Sequence, residues 1–266
     1  MEGELTWRVV PEARSVMLRQ VSKTMRTAME SVRPRAMIKV KKGQQFQRAK
    51  NGMLDMMKWC RITAIDLSNA RIGAQGAGRL AEELTEVLGQ CPSLAHLDLE
   101  SNSIGAEGAE RLASVLGKCP SLTHLYLGWN EIGDEGVGKL AEVLGQCPSL
   151  AHLDLGGNSI GDEGAGRLAK VLAQCPSLAH LSLYGNSIRA EGAGRLAEVL
   201  GQCPSLAQLN LAFNGIGDEG AGRLAEVLGQ CLSLAHLHLY GNSIGDQGAQ
   251  RLVAVAEQCP SLDIIS

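Results

Sequence analysis

The sequence predicts an α/β solenoid, an arc with a parallel β-sheet on its concave face and α-helices on its convex face. Three observations predict it. A 28-residue unit recurs along most of the chain; the apolar period changes inside each unit from that of a strand to that of a helix; and seven of the eight cysteines, Cys91 to Cys259, fall one unit apart.

The unit reads from Leu94 to Pro120. Leu97 and Leu99 alternate as in a strand, whereas Leu112, Leu116 and Cys119 follow the i, i+4, i+7 spacing of one helix face. The pattern restarts at Leu122, Leu150, Leu178, Leu206 and Leu234; a longer copy opens at Ile62, and Leu262 with Ile265 begins another. About seven units result. Asp134 and Asp162 stand just ahead of their helices, where an N-cap side chain would act, and a Cys-Pro pair, replaced by Cys231-Leu232 in one unit, closes the helices because proline cannot continue them. Strands joined by helical crossovers pair in parallel. Strands stack at about 4.8 Å and helices at about 10 Å, so the stack bends with its strands inside. A single unit is unstable by itself: about six buried aliphatics at ~1.5–3 kcal/mol each do not offset the ordering of its backbone at ~1–2 kcal/mol per residue. Stacking is therefore obligatory.

Asn102, Asn130, Asn158, Asn186, Asn214 and Asn242 share one register. An amide carries donors and an acceptor, so such a column is expected to satisfy the loop backbone between neighbouring units as a structural ladder. The first unit has Ala70 in this register, as suits an end unit that leaves backbone to water. One glycine column, Gly76 to Gly248, is unbroken and points to close backbone approach or positive φ; an earlier glycine column is broken by Arg189, which argues against a positive φ there. The cysteines, one per outer helix and about 10 Å apart, are too distant for disulfides and are expected as buried free thiols. A reducing, cytoplasmic location follows as an expectation.

Charge divides the chain. Residues 1–60 hold 13 Lys/Arg against 5 Asp/Glu, whereas residues 61–266 hold 12 against 23, within a net charge of −3. The expected organisation is a basic N-terminal segment over 1–52, partly helical or disordered, and a repeat domain over 53–266 that begins with a cap helix at 53–60. Within the basic segment Leu18, Val21, Met25, Met29 and Val32 form one helical stripe flanked by Arg14, Arg19, Lys23 and Arg26. A cap for the open end of the stack, a targeting peptide and an interaction helix all fit it. Lys39, Lys41 and Lys42 are too few to argue nucleic-acid binding. No apolar run has the length of a membrane span, and no secretory signal opens the chain. The last residues stand just inside a further strand, so association through an uncapped C-terminal edge is expected, unless the product is truncated.

The pattern LxxLxLxxNxIGxxGAxxLAxxLxxCPS over roughly residues 60–265 resembles the leucine-rich repeats of the ribonuclease-inhibitor type. That family includes the inhibitor itself, the sensor arms of nucleotide-binding immune receptors and the GTPase-activating protein of Ran. The resemblance implies a horseshoe that binds protein partners, as a scaffold, receptor-like or signalling module. It implies as the alternative a GTPase-activating regulator of a small GTPase. No P-loop GxxxxGK[ST] and no long acidic tail occur.

In LxxLxLxxN the leucines point to the core, so the third, fifth, seventh and eighth positions face the concave side or its rim. The candidate binding residues there are His96, Asp98, His124, Tyr126, Trp129, His152, Asp154, His180, Tyr184, Phe213, His236, His238 and Tyr240. Every histidine and every tyrosine of the chain lies on this surface. Aromatic side chains gathered on one face point to a protein interface, although unit duplication copies histidines whether or not they are used. The fifth, seventh and eighth positions vary between otherwise similar units and are the better candidates for specificity. A row of imidazoles on an open strand face does not close a tetrahedral metal shell, and neighbouring imidazoles oppose one another's protonation, so positive charge is expected only in mild acid. No GxSxG, no HExxH and no nucleophile beside the His and Asp columns suggest catalysis; no enzyme activity, metal or cofactor is expected, and the expected partner is a protein of unspecified identity, not nucleic acid.

Overall fold

A computed structural model of the protein describes residues 6–9, 35–39, 61–78, 81 and 94–265. Its strands are β1 (Thr6–Val9), β2 (Arg35–Lys39), β3 (Arg61–Asp66), β4 (His96–Asp98), β5 (His124–Tyr126), β6 (His152–Asp154), β7 (His180–Ser182), β8 (Gln208–Asn210), β9 (His236–His238) and β10 (Asp263–Ile265). Its helices are α1 (Gly105–Leu116), α2 (Gly133–Leu144), α3 (Asp162–Leu172), α4 (Ala190–Leu200), α5 (Gly217–Leu228) and α6 (Asp246–Gln258). None of them is long and apolar enough to cross a membrane.

The strands form one sheet in chain order. From β2 onward every pairing is parallel, and between repeats it keeps equivalent positions opposite each other, as in His96↔His124↔His152↔His180. Leucines of each strand and of the helix behind it, such as Leu97, Leu99, Leu112 and Leu116, merge with those of neighbouring units into one continuous buried core. The aliphatic composition thus fills a flat stack, with the sheet inside the arc and the helices outside.

The basic segment contributes two strands that its sequence did not announce. β2 pairs in parallel with β3 and covers the edge of the first unit, while β1 pairs antiparallel with β2. Neither carries the repeat's leucine spacing, which was the only strand signal available. The stripe over 12–32, Lys41, Lys42, the helix at 53–60, Cys60 and Cys91 lie outside the described residues.

The asparagine column is a directional ladder. Asn130 Oδ1 accepts from the backbone N–H of Asn102 (3.0 Å) and Ile104 (3.3 Å) in the unit before it, and its Nδ2 donates to Leu99 O and Leu127 O (2.9 Å each), one in either unit. Asn158 repeats this toward Asn130 and Ile132, and Asn242 toward Asn214 and Ile216. All six side chains are buried. Each asparagine therefore serves the loop of the preceding unit. Ala70 corrects the expectation of a wetted end: it is fully buried and its N–H donates to Asn102 Oδ1 at 2.9 Å.

The aspartates also act across the unit boundary. None of α1 to α6 has a side-chain bond from its own N-cap. Instead Asp134 Oδ1 accepts from Gly161 N (2.6 Å) at the start of α3, Asp162 Oδ1 from Arg189 N (3.0 Å) and Gly192 N (2.6 Å) at α4, and Asp218 Oδ1 from Gly245 N and Gly248 N (2.8 Å each) at α6. The expected cap of the residue's own helix is thus a cap of the next one, because the first turn projects toward the following unit. This contact decides the backbone. After an aspartate, residues Gly161, Arg189 and Gly245 are extended, with φ between −91 and −103. After Ala74, Ala106 and Ala190, residues Gly105, Gly133 and Gly217 are left-handed at φ +68, +65 and +64 and donate instead to an asparagine carbonyl of the next unit. Arg189 is tolerated because Asp162 precedes it. The unbroken glycine column has a different cause, close approach: a Cβ on Gly136 would stand 2.9 Å from the Cα of Ala106.

On the convex side Arg195 pairs with Glu191 (2.6 Å) and Arg223 with Glu219 (2.7 Å), not with Glu198 and Glu226 one turn later. Helical side chains lean toward the N-terminus, which favours the glutamate one turn earlier. The described cysteines are free, and Cys119, Cys147, Cys175 and Cys203 are buried as expected. Burial pushes the Cys119 thiol up to about 12, with Cys147 adding to the effect.

Two outcomes follow for stability. Asn158→Ala strands buried backbone groups in two units and lowers the unfolding free energy by ~2–3 kcal/mol in urea titration, with an unchanged partial fold ruled out by circular dichroism. Gly133→Arg and Gly217→Arg each cost ~1–2 kcal/mol through left-handed strain, whereas Gly161→Arg is close to neutral; Asp162→Ala removes that tolerance at Arg189 and destabilises by a similar amount. Equal effects at Gly133 and Gly161 contradict this account.

Candidate functional site

The strand alternation that buries Leu125 and Leu153 turns their neighbours to the inner face of the sheet. Because equivalent positions lie opposite one another, identical residues stack. His96, His124, His152 and His180 form a column with ring centroids 4.0, 4.1 and 4.1 Å apart and rings within 16° of parallel. The column ends at Gln208, whose Oε1 meets His180 Nδ1 at 2.8 Å. Beyond it His236 lies 3.7 Å from Asp263.

The hydrogen bonds fix two tautomers. Thr123 Oγ1 donates its proton to Ala95 O, so at 2.9 Å it accepts from His124 Nδ1–H. Gln208 Oε1 likewise only accepts, so His180 carries its proton on Nδ1. In both rings Nε2 is left as an acceptor. Burial, then the imidazoles of His96, His152 and His180, depress the His124 pKa to about 4; burial, then His180 and His96, depress that of His152. The expectation that stacked imidazoles resist protonation holds for these two rings.

Next to the column runs the fifth position: Asp98, Tyr126, Asp154, Ser182, Asn210 and His238. Asp154 Oδ1 accepts from Gly156 N at 2.8 Å, and Asn210 Oδ1 makes the equivalent bond to Ala212 N at 3.0 Å. Burial, then Asp98 and Asp154, raises the Tyr126 pKa, and burial with the same two carboxylates raises that of Glu100. Among the described residues no group of three or more His, Cys, Asp or Glu side chains is arranged to hold a metal. A shallow hollow of about 270 Å³ opens between Tyr126, Asp154, His180, Ser182, Asn210 and His238.

At the rim, the seventh and eighth positions bring distant aromatics together. Tyr184 lies 6.5 Å from Trp129 and 5.3 Å from Phe213, and Phe213 lies 5.3 Å from Tyr240, the last two contacts edge to face. Trp129, Phe213 and Tyr240 are 55 %, 44 % and 59 % exposed. The eighth position is left-handed in every described repeat: φ is +64, +62 and +73 at Gly157, Gly185 and Gly241, but also +55 at Asn69, +57 at Ser101, +58 at Trp129 and +57 at Phe213. Bulky residues seldom adopt this backbone. The Trp129 ring lies over Gly157 and the Phe213 ring over Gly241, where a Cβ would collide at 2.6 and 2.7 Å. An aromatic in one unit thus requires a glycine in the next, a rule not visible without the backbone.

These features define a repeat solenoid of strand, loop and helix units with a decorated inner face. A leucine-rich-repeat family profile matches residues 90–113, 118–141, 146–169, 202–225 and 230–253. The chain thus carries leucine-rich repeats, a finding consistent with the ribonuclease-inhibitor type. The unit from Leu178, outside the matched segments, has the same strand and helix. Among solved structures it is similar to actin-binding site 2 of leiomodin-1, with 17 % identity, 56 % of this chain and 89 % of that one covered, and a TM-score of 0.46. It is also similar to a Caenorhabditis elegans tropomodulin C-terminal domain, with 16 % identity, 56 % and 92 % coverage, and a TM-score of 0.49. No curated protein matches.

The depressed histidines make stability fall in acid. The unfolded chain takes up protons near 6.5 while folded His124 holds out to about 4, so protonation favours the unfolded state over that interval. Urea midpoints between pH 6.5 and about 4 should decline less steeply for His124→Gln with His152→Gln than for the wild type. Parallel declines would show that the carboxylates alone are responsible.

Proposed function

We propose that the protein is an interaction module that receives a protein partner on the inner face of the arc, with Trp129, Tyr184, Phe213 and Tyr240 as its main contact. The observation that carries this reading is the placement of Trp129 and Phe213. Both are large and exposed, and both occupy a left-handed position that glycine fills in three other units. Such strain costs ~1–3 kcal/mol per residue, and the packing of both rings over the next unit's glycine and of Phe213 against Tyr184 and Tyr240 offsets part of it. Tyrosine and tryptophan with adjacent edge-to-face packing are the residue types that dominate binding energy at protein interfaces.

The remaining residues expected at the site, His96, Asp98, His124, Tyr126, His152, Asp154, His180, His236 and His238, lie on the floor beside this ridge and supply polar complementarity in the same reading. No described feature favours the GTPase-activating alternative.

The test separates stability from binding. Trp129→Gly and Phe213→Gly relieve the backbone and are expected to unfold within ~1 kcal/mol of the wild type. Their recovery of partners in cross-linking from whole extract, quantified against the wild-type chain, should fall roughly tenfold. If capture is unchanged by both substitutions, the ridge is not an interface.

A further inference from the structure

The ridge accounts for the rim of the inner face but not for the hollow at its centre. From β4 to β9 the four positions that line this face hold no lysine or arginine, yet they hold Asp98, Glu100 and Asp154. Several groups of this face present acceptors, beside the hydroxyls of Tyr126 and Ser182 and the amide of Asn210, which can donate or accept. His124 and His180 present Nε2 as an acceptor, because Nδ1 is occupied by Thr123 and Gln208. Carboxylates only accept, and Asp154 retains acceptor capacity beyond the bond from Gly156. The hollow, about 270 Å³, is lined by Tyr126, Asp154, Ser182 and Asn210, side by side on successive strands, and by His152 and His180 of the neighbouring column. Its walls therefore ask for a ligand that is cationic, rich in donors and flat enough to lie against rings.

We propose that this hollow seats an arginine side chain of the protein partner, with Asp154 pairing the guanidinium and the rim aromatics taking the apolar residues that flank it. A guanidinium has five donors in a planar fork, pairs with carboxylates through two bonds, stacks on aromatic faces and is weakly hydrated. A lysine ammonium is a compact, strongly hydrated charge that uses neither the planar geometry nor the ring faces. The proposal rests on the partner-binding reading above and specifies the partner's chemistry.

The ligand probe is N-acetylarginine amide, titrated into the intact chain while the histidine and tyrosine ring resonances are followed by NMR, with N-acetyllysine amide and N-acetylglutamate amide as controls. Expected are saturable shifts of His180 and Tyr126 in the millimolar range for arginine, roughly fivefold weaker binding of lysine, and none of glutamate. Asp154→Asn should abolish the arginine response. It keeps the local turn, since Asn210 makes the same backbone bond in its own unit. Asn210→Asp, which adds a second carboxylate to the same hollow, should tighten arginine binding roughly fivefold. Non-saturable shifts with arginine, equal responses to arginine and glutamate, or an Asp154→Asn variant that behaves as wild type would overturn the proposal. Ridge-dependent capture without an arginine response removes only the hollow's assignment; an arginine response without ridge-dependent capture removes the partner-binding reading.

Discussion

The structure depends on one polar column inside an apolar stack. Each asparagine but Asn214, which accepts one, accepts two backbone N–H groups from the preceding loop, and each donates to carbonyls of both units. A loop buried without such partners would leave several polar groups unsatisfied, each at ~1–3 kcal/mol. Leucine packing tolerates small slips, whereas these bonds do not. The column therefore locks the register, and through it every other alignment, including the imidazoles at 4.0 to 4.1 Å.

The same directionality runs through the helix starts. Asp134, Asp162 and Asp218 each set the conformation at the entrance to the next helix, so a residue's tolerance is decided one unit away. Stability in a solenoid is a sum of unit and neighbour terms, and here the neighbour term is specific and one-sided. Arg189 illustrates it: its break in a glycine column is permitted by Asp162 and would conflict with an alanine there.

The inner face departs from this economy of identical parts. Trp129 and Phe213 sit where the backbone prefers glycine, and the glycines that follow them make room for their rings. Tyr184 then links them, although it comes from a different position in its unit. Two large exposed aromatics thus share a left-handed backbone that polar residues such as Ser101 adopt in the same register, beside a floor that carries acceptors and negative charge without a lysine or arginine.

The 28-residue period, the alternation around Leu97 and Leu99 and the helical spacing of Leu112 and Leu116 were enough for the sequence to determine the fold, because each reports burial directly. They also placed the histidines, tyrosines and asparagines on their faces, since a strand sends alternate side chains to opposite sides. What the tertiary structure decided are relations between units. These are the aspartate that caps the following helix, the two added strands at the first edge, and the ridge joining Trp129 to Tyr240. Such relations depend on which backbone groups face each other across a boundary, and a pattern read along one chain does not contain that distance.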